Sequence, residues 1–323
     1  MNDGKVTDCR AASEVPGARR RAARNRTLTL TAEERTRLAA QLAAPETRLS
    51  PEDWADRLFC GDFFALAPLL PSESVDLLII DPPYNRSKDF GTVKTRRAAD
   101  ADYEAYLDRV VRALLSLLKP DASIYCCGDW ACSAAQYRVL DRYFTVRNRI
   151  TWQREKGRGA GRNWKNAAED IWFATVGGDY CFNVDAVKQK RRVLAPYREN
   201  GRPKDWAEEP GGRFRLTCPG NFWDDITVPY WSMPENTDHP TQKPEKLLAK
   251  LILASSREGG LVFDPFAGSG STLVTARKLN RRFAGVEIHP EYCLWALKRL
   301  ELALHDRRIQ GYDGVFMERN SVR

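Results

Sequence analysis

Six residues, Val75-Asp76-Leu77-Leu78-Ile79-Ile80, restrict this 323-residue chain more than any other stretch. A strand with one wet face alternates apolar and polar side chains; this run is apolar at nearly every position and bounded by turn formers, so it reads as a strand covered on both sides. Such strands belong to parallel sheets sandwiched between helices, and the rest of the chain keeps that rhythm. Apolar residues at helical spacing run from Tyr103 to Leu118, and a second buried strand is expected over 123–127. Further strands are expected over 149–153 and 170–176. After a Pro-, Gly-, Arg- and Trp-rich stretch at 185–235 without a sustained period, helical spacing resumes over 246–255. A buried strand (260–263), a tight turn (268–270), a helix (272–279), a strand (282–286) and a helix (290–304) complete the pattern. The expected architecture is a doubly wound, mostly parallel α/β sheet with an inserted segment.

The expected divisions are a basic arm at 1–50, a first half of the sheet at 51–184, the insertion at 185–235, a second half at 236–310 and a tail at 311–323. Residues 1–26 hold too few apolar groups to bury a face and are expected to be disordered. Thr31 and Glu34 then form a capping-box pattern ahead of a helix to about residue 43. The net charge of +8 is uneven: +4 over residues 1–50, −4 over 51–144, +7 over 145–215 and +1 over 216–323. An excess confined to the arm and the middle fits contact with a polyanion, although a solvated basic surface would look the same. No stretch approaches the roughly 18 apolar residues of a membrane span, so a soluble, cytoplasmic protein is expected. Eight cysteines without a CxxC pair and three scattered histidines suggest neither a metal site nor a disulfide framework.

Two constellations carry chemistry. Asp264-Pro265-Phe266-Ala267-Gly268-Ser269-Gly270 lies between a strand and a helix, and Glu287 ends the next strand. Glycines let the backbone approach a ligand at a helix N-terminus, and an acidic residue about 20 positions on can accept from both ribose hydroxyls. Leu273 stands where a dinucleotide fingerprint would place its third glycine, and no Gly-Lys-Ser/Thr follows, so a ribose without phosphates fits better. Asp81-Pro82-Pro83-Tyr84 directly follows the buried strand. An exocyclic base amine is a poor nucleophile because its lone pair is delocalised. The Asp81 carboxylate and the Pro82 carbonyl can each accept one N–H and free that lone pair, two prolines stiffen the turn, and Tyr84 offers a ring for an extruded base.

Together these motifs resemble the S-adenosylmethionine-dependent amino-methyltransferases of DNA, with Asp/Asn/Ser-Pro-Pro-Tyr/Phe and Phe-x-Gly-x-Gly signatures. The catalytic motif precedes the cofactor motif here, as in the β group of that family. His239-Pro240-Thr241-Gln242-Lys243-Pro244 resembles the group's loop at the methionine end of the cofactor, and Gly61-Asp62 its extra cofactor contact. The resemblance spans about residues 58 to 300. It implies a seven-stranded, circularly permuted methyltransferase sheet whose segment 185–235 recognises the target. It implies Asp81, Pro82, Pro83 and Tyr84 as catalytic residues. For S-adenosylmethionine it implies Asp62, Asp81, His239, Thr241, Gln242, Lys243, Asp264, Phe266, Ala267, Gly268, Ser269, Gly270, Ser271, Thr272, Glu287 and Ile288. The implied reaction is methylation of adenine N6 in double-stranded DNA, because cytosine-N4 enzymes more often begin the motif with Ser. Cytosine-N4 methylation and a non-catalytic DNA-binding subunit are the alternatives. A homodimer and a cognate restriction endonuclease are the partners such relatives suggest.

Overall fold

The computed structural model describes residues 22–42, 44–85, 97–154 and 161–318, with the backbone of 88–89 and 94–95. Its centre is a sheet of eight strands: β1 (Arg57–Cys60), β2 (Val75–Ile80), β3 (Leu118–Gly128), β4 (Thr145–Gln153), β5 (Ala168–Thr175), β6 (Phe222–Trp223), β7 (Leu261–Asp264) and β8 (Arg282–Glu287). Their spatial order is β1-β8-β7-β2-β3-β5-β4-β6. Every pairing is parallel except those of β5, which runs against both β3 and β4. The expected sheet had seven strands. The eighth, β6, is two residues long, too short for any period to show in sequence, and pairs with Thr151 and Trp152.

The helices are α1 (Ala32–Ala39), α2 (Asp100–Leu114), α3 (Trp130–Tyr143), α4 (Glu245–Ser255), α5 (Ser271–Lys278) and α6 (Pro290–Leu302). Strand β2 shows why its sequence is apolar at every position but Asp76: Leu78 and Ile80 enter one core with α2 and α3, while Leu77 and Ile79 enter a second core with α4, α5 and α6. Successive side chains of a strand point to opposite faces, so a strand feeding two cores admits a polar group only where it finds partners, as Asp76 does in Lys119 Nζ at 2.7 Å and the Leu261 N–H at 2.8 Å.

Expectation and structure differ at both ends of the chain. Helix α1 has the predicted capping box but stops at Ala39, and it is fastened to α6 by ion pairs of Glu34 with Lys298, Arg35 with Glu291 and Arg37 with Glu301. Disorder was expected over 1–26; residues 1–21 lie outside the described residues, whereas the Arg26 N–H donates to Trp231 O. The expected tail is no appendage either: Phe316–Met317 pairs with Gln189–Lys190 in a second sheet that also contains Gly212–Thr217 and Ala207–Glu209. No helix among the described residues is long and apolar enough to cross a membrane.

The insertion is joined to the core by a buried charge cluster. Asp225, 4% exposed, accepts from Lys250 Nζ at 2.8 and 2.9 Å, and its Oδ2 lies 2.9 Å from Lys246 Nζ; both lysines are 1% exposed. Lys246 also donates to Asp225 O and to Met317 O, at 2.8 and 2.7 Å. One cluster thus binds the end of the insertion, α4 and the C-terminal strand.

Candidate active site

Strands β2 and β7 are neighbours, with Val262 opposite Leu77 and Phe263 opposite Leu78. Because they are parallel, Asp81-Pro82-Pro83-Tyr84 and Asp264–Gly270 emerge from the same edge of the sheet, at the point where a doubly wound topology opens a crevice. A cavity of about 240 Å³ lies there, walled by Asp81, Pro82, Pro83 and Tyr84 on one side and Phe266, Gly268, Glu287 and Ile288 on the other, with His239 and Thr241 also at its wall. A second space of about 30 Å³ adjoins it, lined by Gln242, Lys243, Asp264, Ala267, Ser269, Ser271 and Thr272. Two stretches far apart in sequence therefore face one another.

On the nucleoside side, the two glycines of the turn do different things. Gly268 has φ +52° and a Cβ there would lie 3.0 Å from His239 Nε2, so the missing side chain keeps the cavity wall open. Gly270 has φ +77° and a Cβ there would lie 2.6 Å from the Cβ of Ala296. It seats the turn on α6, where close packing excludes a side chain, and lines neither space. Asp62 lies just beyond the end of β1. It caps the short helix Phe63–Leu66 by accepting from Phe64 N–H at 2.9 Å and lines neither space.

Glu287 accepts the amides of Gly268 and His289 at 2.8 and 2.7 Å, one on each oxygen, and burial raises its pKa. Each carboxylate oxygen keeps further acceptor capacity. Asp264 accepts from Phe266 N–H at 3.0 Å and from the Thr272 hydroxyl at 2.6 Å, bracing the turn. Burial pushes its carboxyl up to about 7. A pKa raised from 3.8 means that, between about pH 4 and 7, the folded chain holds a proton that the unfolded chain has lost. This contribution to stability is full below pH 4 and is lost as pH rises through 7. Urea denaturation of the ligand-free protein should accordingly show stability falling with pH across that window, and Asp264→Asn should flatten the slope; an unchanged slope contradicts the assignment.

In the loop before α4, Gln242 is occupied within the loop. Its Oε1 accepts from the Thr237 N–H and hydroxyl, at 2.9 and 2.7 Å, and its Nε2 donates to Glu235 O at 2.6 Å. Lys243 reaches the other way. Its ammonium donates to Asp81 Oδ2 at 2.6 Å and to the Tyr84 hydroxyl at 3.1 Å, and lies 3.4 Å from Glu169 Oε2. Burial works against this ammonium, but the carboxylates of Asp81 and Glu169 outweigh it and its pKa is raised. Burial together with the same two carboxylates drives the Tyr84 phenol well above its ordinary range, so it stays a donor, to Asp81 Oδ1 at 3.0 Å. Arg154 pairs with the other oxygen of Glu169. Glu169 and Arg154 were not singled out from sequence as functional. The available signal was a pair of acidic residues, Glu169 and Asp170, ahead of the apolar run of β5.

Residues 75–298 match the model of the N6/N4 DNA methylases. The chain belongs to that family. This methylase is 35% identical to the DNA adenine methyltransferase YhdJ of Escherichia coli K12 over 78% of its own length and 84% of that protein's. It is 31% identical to the type II methyltransferase M.HpaI of Haemophilus parainfluenzae, over 80% and 77%. Among solved structures it resembles the PvuII DNA methyltransferase (cytosine-N4-specific), with a TM-score of 0.56, 19% identity and coverage of 81% and 93%. It also resembles the M1.HpyAVI–SAM complex, with a TM-score of 0.52, 22% identity and coverage of 76% and 98%. At such identities the structures speak for the fold, which the eight-stranded order already displays.

Proposed function

We propose that this methylase transfers a methyl group from S-adenosylmethionine to N6 of an adenine extruded from double-stranded DNA. The observation that carries the reading is that the carboxylates of Asp81 and Glu287, from the ends of two different strands, line one cavity. The residues fit the cofactor: Gly268 leaves room where a Cβ would fill the wall, and Glu287 holds acceptor capacity suited to ribose hydroxyls. Glu287, Ile288, Phe266, Gly268 and the His239–Lys243 loop would hold it. When bound, S-adenosylmethionine supplies a methyl group activated by the sulfonium. The chain's own part is to shape the amine: Asp81 and the Pro82 carbonyl accept its two N–H groups, so that its lone pair is freed for direct attack.

Adenine is favoured by the Asp that opens the catalytic motif and by the name of the Escherichia coli relative. Phosphates are expected to meet the insertion, where Arg198 and Arg213 lie over the Trp206 ring at 5.4 and 5.3 Å and Lys190 lies 4.8 Å from the centre of Phe214. The type II relative supports a cognate restriction endonuclease as partner; a homodimer in the cytoplasm belongs to the same reading. Single-molecule sequencing of DNA from cells expressing the chain should reveal N6-methyladenine in one sequence context. N4-methylcytosine would overturn the choice of base, and unmodified DNA the enzymatic reading.

A further inference from the structure

Asp81 must offer a lone pair to the target amine, and each of its oxygens already accepts from one donor: Oδ2 from the Lys243 ammonium at 2.6 Å and Oδ1 from the Tyr84 hydroxyl at 3.0 Å. Each oxygen keeps a further acceptor site, but the ammonium draws on the carboxylate's charge and weakens it as an acceptor. Moving a buried ammonium off its carboxylate into an apolar wall would be strongly unfavourable. The structure provides another place for it. Glu169 Oε2 lies 3.4 Å from Lys243 Nζ and 3.3 Å from the Tyr84 hydroxyl, so both donors that occupy Asp81 share one alternative acceptor. That acceptor is itself buried, 3% exposed, and its second oxygen is held by Arg154, which lines the same cavity. Asp81, Glu169, Lys243 and Arg154 carry two charges of each sign, so a shift of Lys243 between the carboxylates leaves the group neutral.

We propose that Glu169 is a positioning residue: it receives Lys243 and Tyr84 when the target amine arrives and so strengthens Asp81 as the acceptor of the amine's N–H. This rests on the proposed methyl transfer, with Asp81 as the amine's acceptor. No bond beyond hydrogen bonds is made or broken in the shift. Without the Glu169 carboxylate, Lys243 has only Asp81 as a counterion, and the amine meets a carboxylate whose charge the ammonium already holds.

The test is single-turnover transfer of labelled methyl to DNA, together with calorimetric binding of S-adenosylmethionine, for wild type, Glu169→Gln, Lys243→Met and the double variant. Glu169→Gln should slow transfer roughly tenfold or more, as expected for loss of a charged acceptor, with cofactor affinity within about threefold. Glu169→Asp, which keeps the charge, should recover most of the rate. The double variant should be no slower than Lys243→Met alone, because a carboxylate whose task is to receive that ammonium has no task without it. A smaller loss in Glu169→Gln, or losses that multiply in the double variant, overturns the proposal. If Glu169→Gln fails to fold by circular dichroism, the same cycle is run with Glu169→Asp, reading whether its smaller loss disappears when Lys243 is Met. Failure of the methyl-transfer reading is distinct, since wild type would then label no DNA at all.

Discussion

Asp81→Ala should lower the single-turnover rate of DNA methylation by about 1,000-fold or more, while affinity for S-adenosylmethionine changes by no more than about threefold. The size follows from removing a charged acceptor that acts on the reacting nitrogen inside a cavity, where one such group is worth two to three orders of magnitude or more. The affinity should hold because the groups on the nucleoside side, Glu287, Gly268 and Phe266, belong to the ends of β7 and β8 and are braced by Asp264 and Thr272 rather than by Asp81. The fold should hold as well. Lys243 loses its 2.6 Å partner but keeps Glu169 at 3.4 Å, so no buried ammonium is left alone. A rate within tenfold of wild type, or a cofactor affinity lost in parallel with the rate, would show that Asp81 does not act on the amine.

The second large effect concerns stability rather than chemistry. Asp225→Ala removes the carboxylate that faces both Lys246 and Lys250, each 1% exposed. Breaking a buried pair by deleting one partner costs about 3–5 kcal/mol, because the remaining charge can neither reach water nor find another counterion. Here two ammonium groups are left. Burial already pulls the Lys250 ammonium down to about 8 with Asp225 in place. Without Asp225 its protonated form is disfavoured further. Chemical denaturation at neutral pH should report the loss as a lower midpoint. Adding Lys250→Met to Asp225→Ala should return part of it, since the substitution removes one stranded charge and leaves an apolar chain beside Trp223 and Phe316. A midpoint unchanged by Asp225→Ala would mean that the cluster joins the segments without holding them.

The site was legible in sequence wherever the physics is local. A strand buried on both faces is apolar at nearly every position, which exposed β2 and β7. A backbone that turns sharply at the end of such a strand needs glycines or prolines, which exposed Gly268 and the two prolines after Asp81. Helix α3 went unread because its buried face is made of Cys132, Ser133, Ala135 and Gln136 before Val139 and Leu140. Gln136 is buried because it donates to Cys127 O at 2.6 Å, so a polar residue sits where a period of apolar ones would be sought. Glu169 escaped for the same kind of reason. Its partners, Lys243 and Tyr84, are tens of residues away in sequence, and only the fold brings the three together. Gly270 shows a second demand that no local pattern displays: a glycine inside a ligand motif also serves the packing of α6.

The insertion departs after β5 and returns through β6, on the outer border of the sheet, whereas the reacting groups hang from β2 and β7 at its middle. On the proposed reading, what recognises a sequence and what modifies it are thus attached to separate parts of one frame. A lineage could graft a foreign recognition segment onto this border and acquire a new target while leaving the reaction centre untouched. The graft would have one structural debt to honour: an acidic residue at its exit, in the place of Asp225, to meet the two lysines waiting on α4.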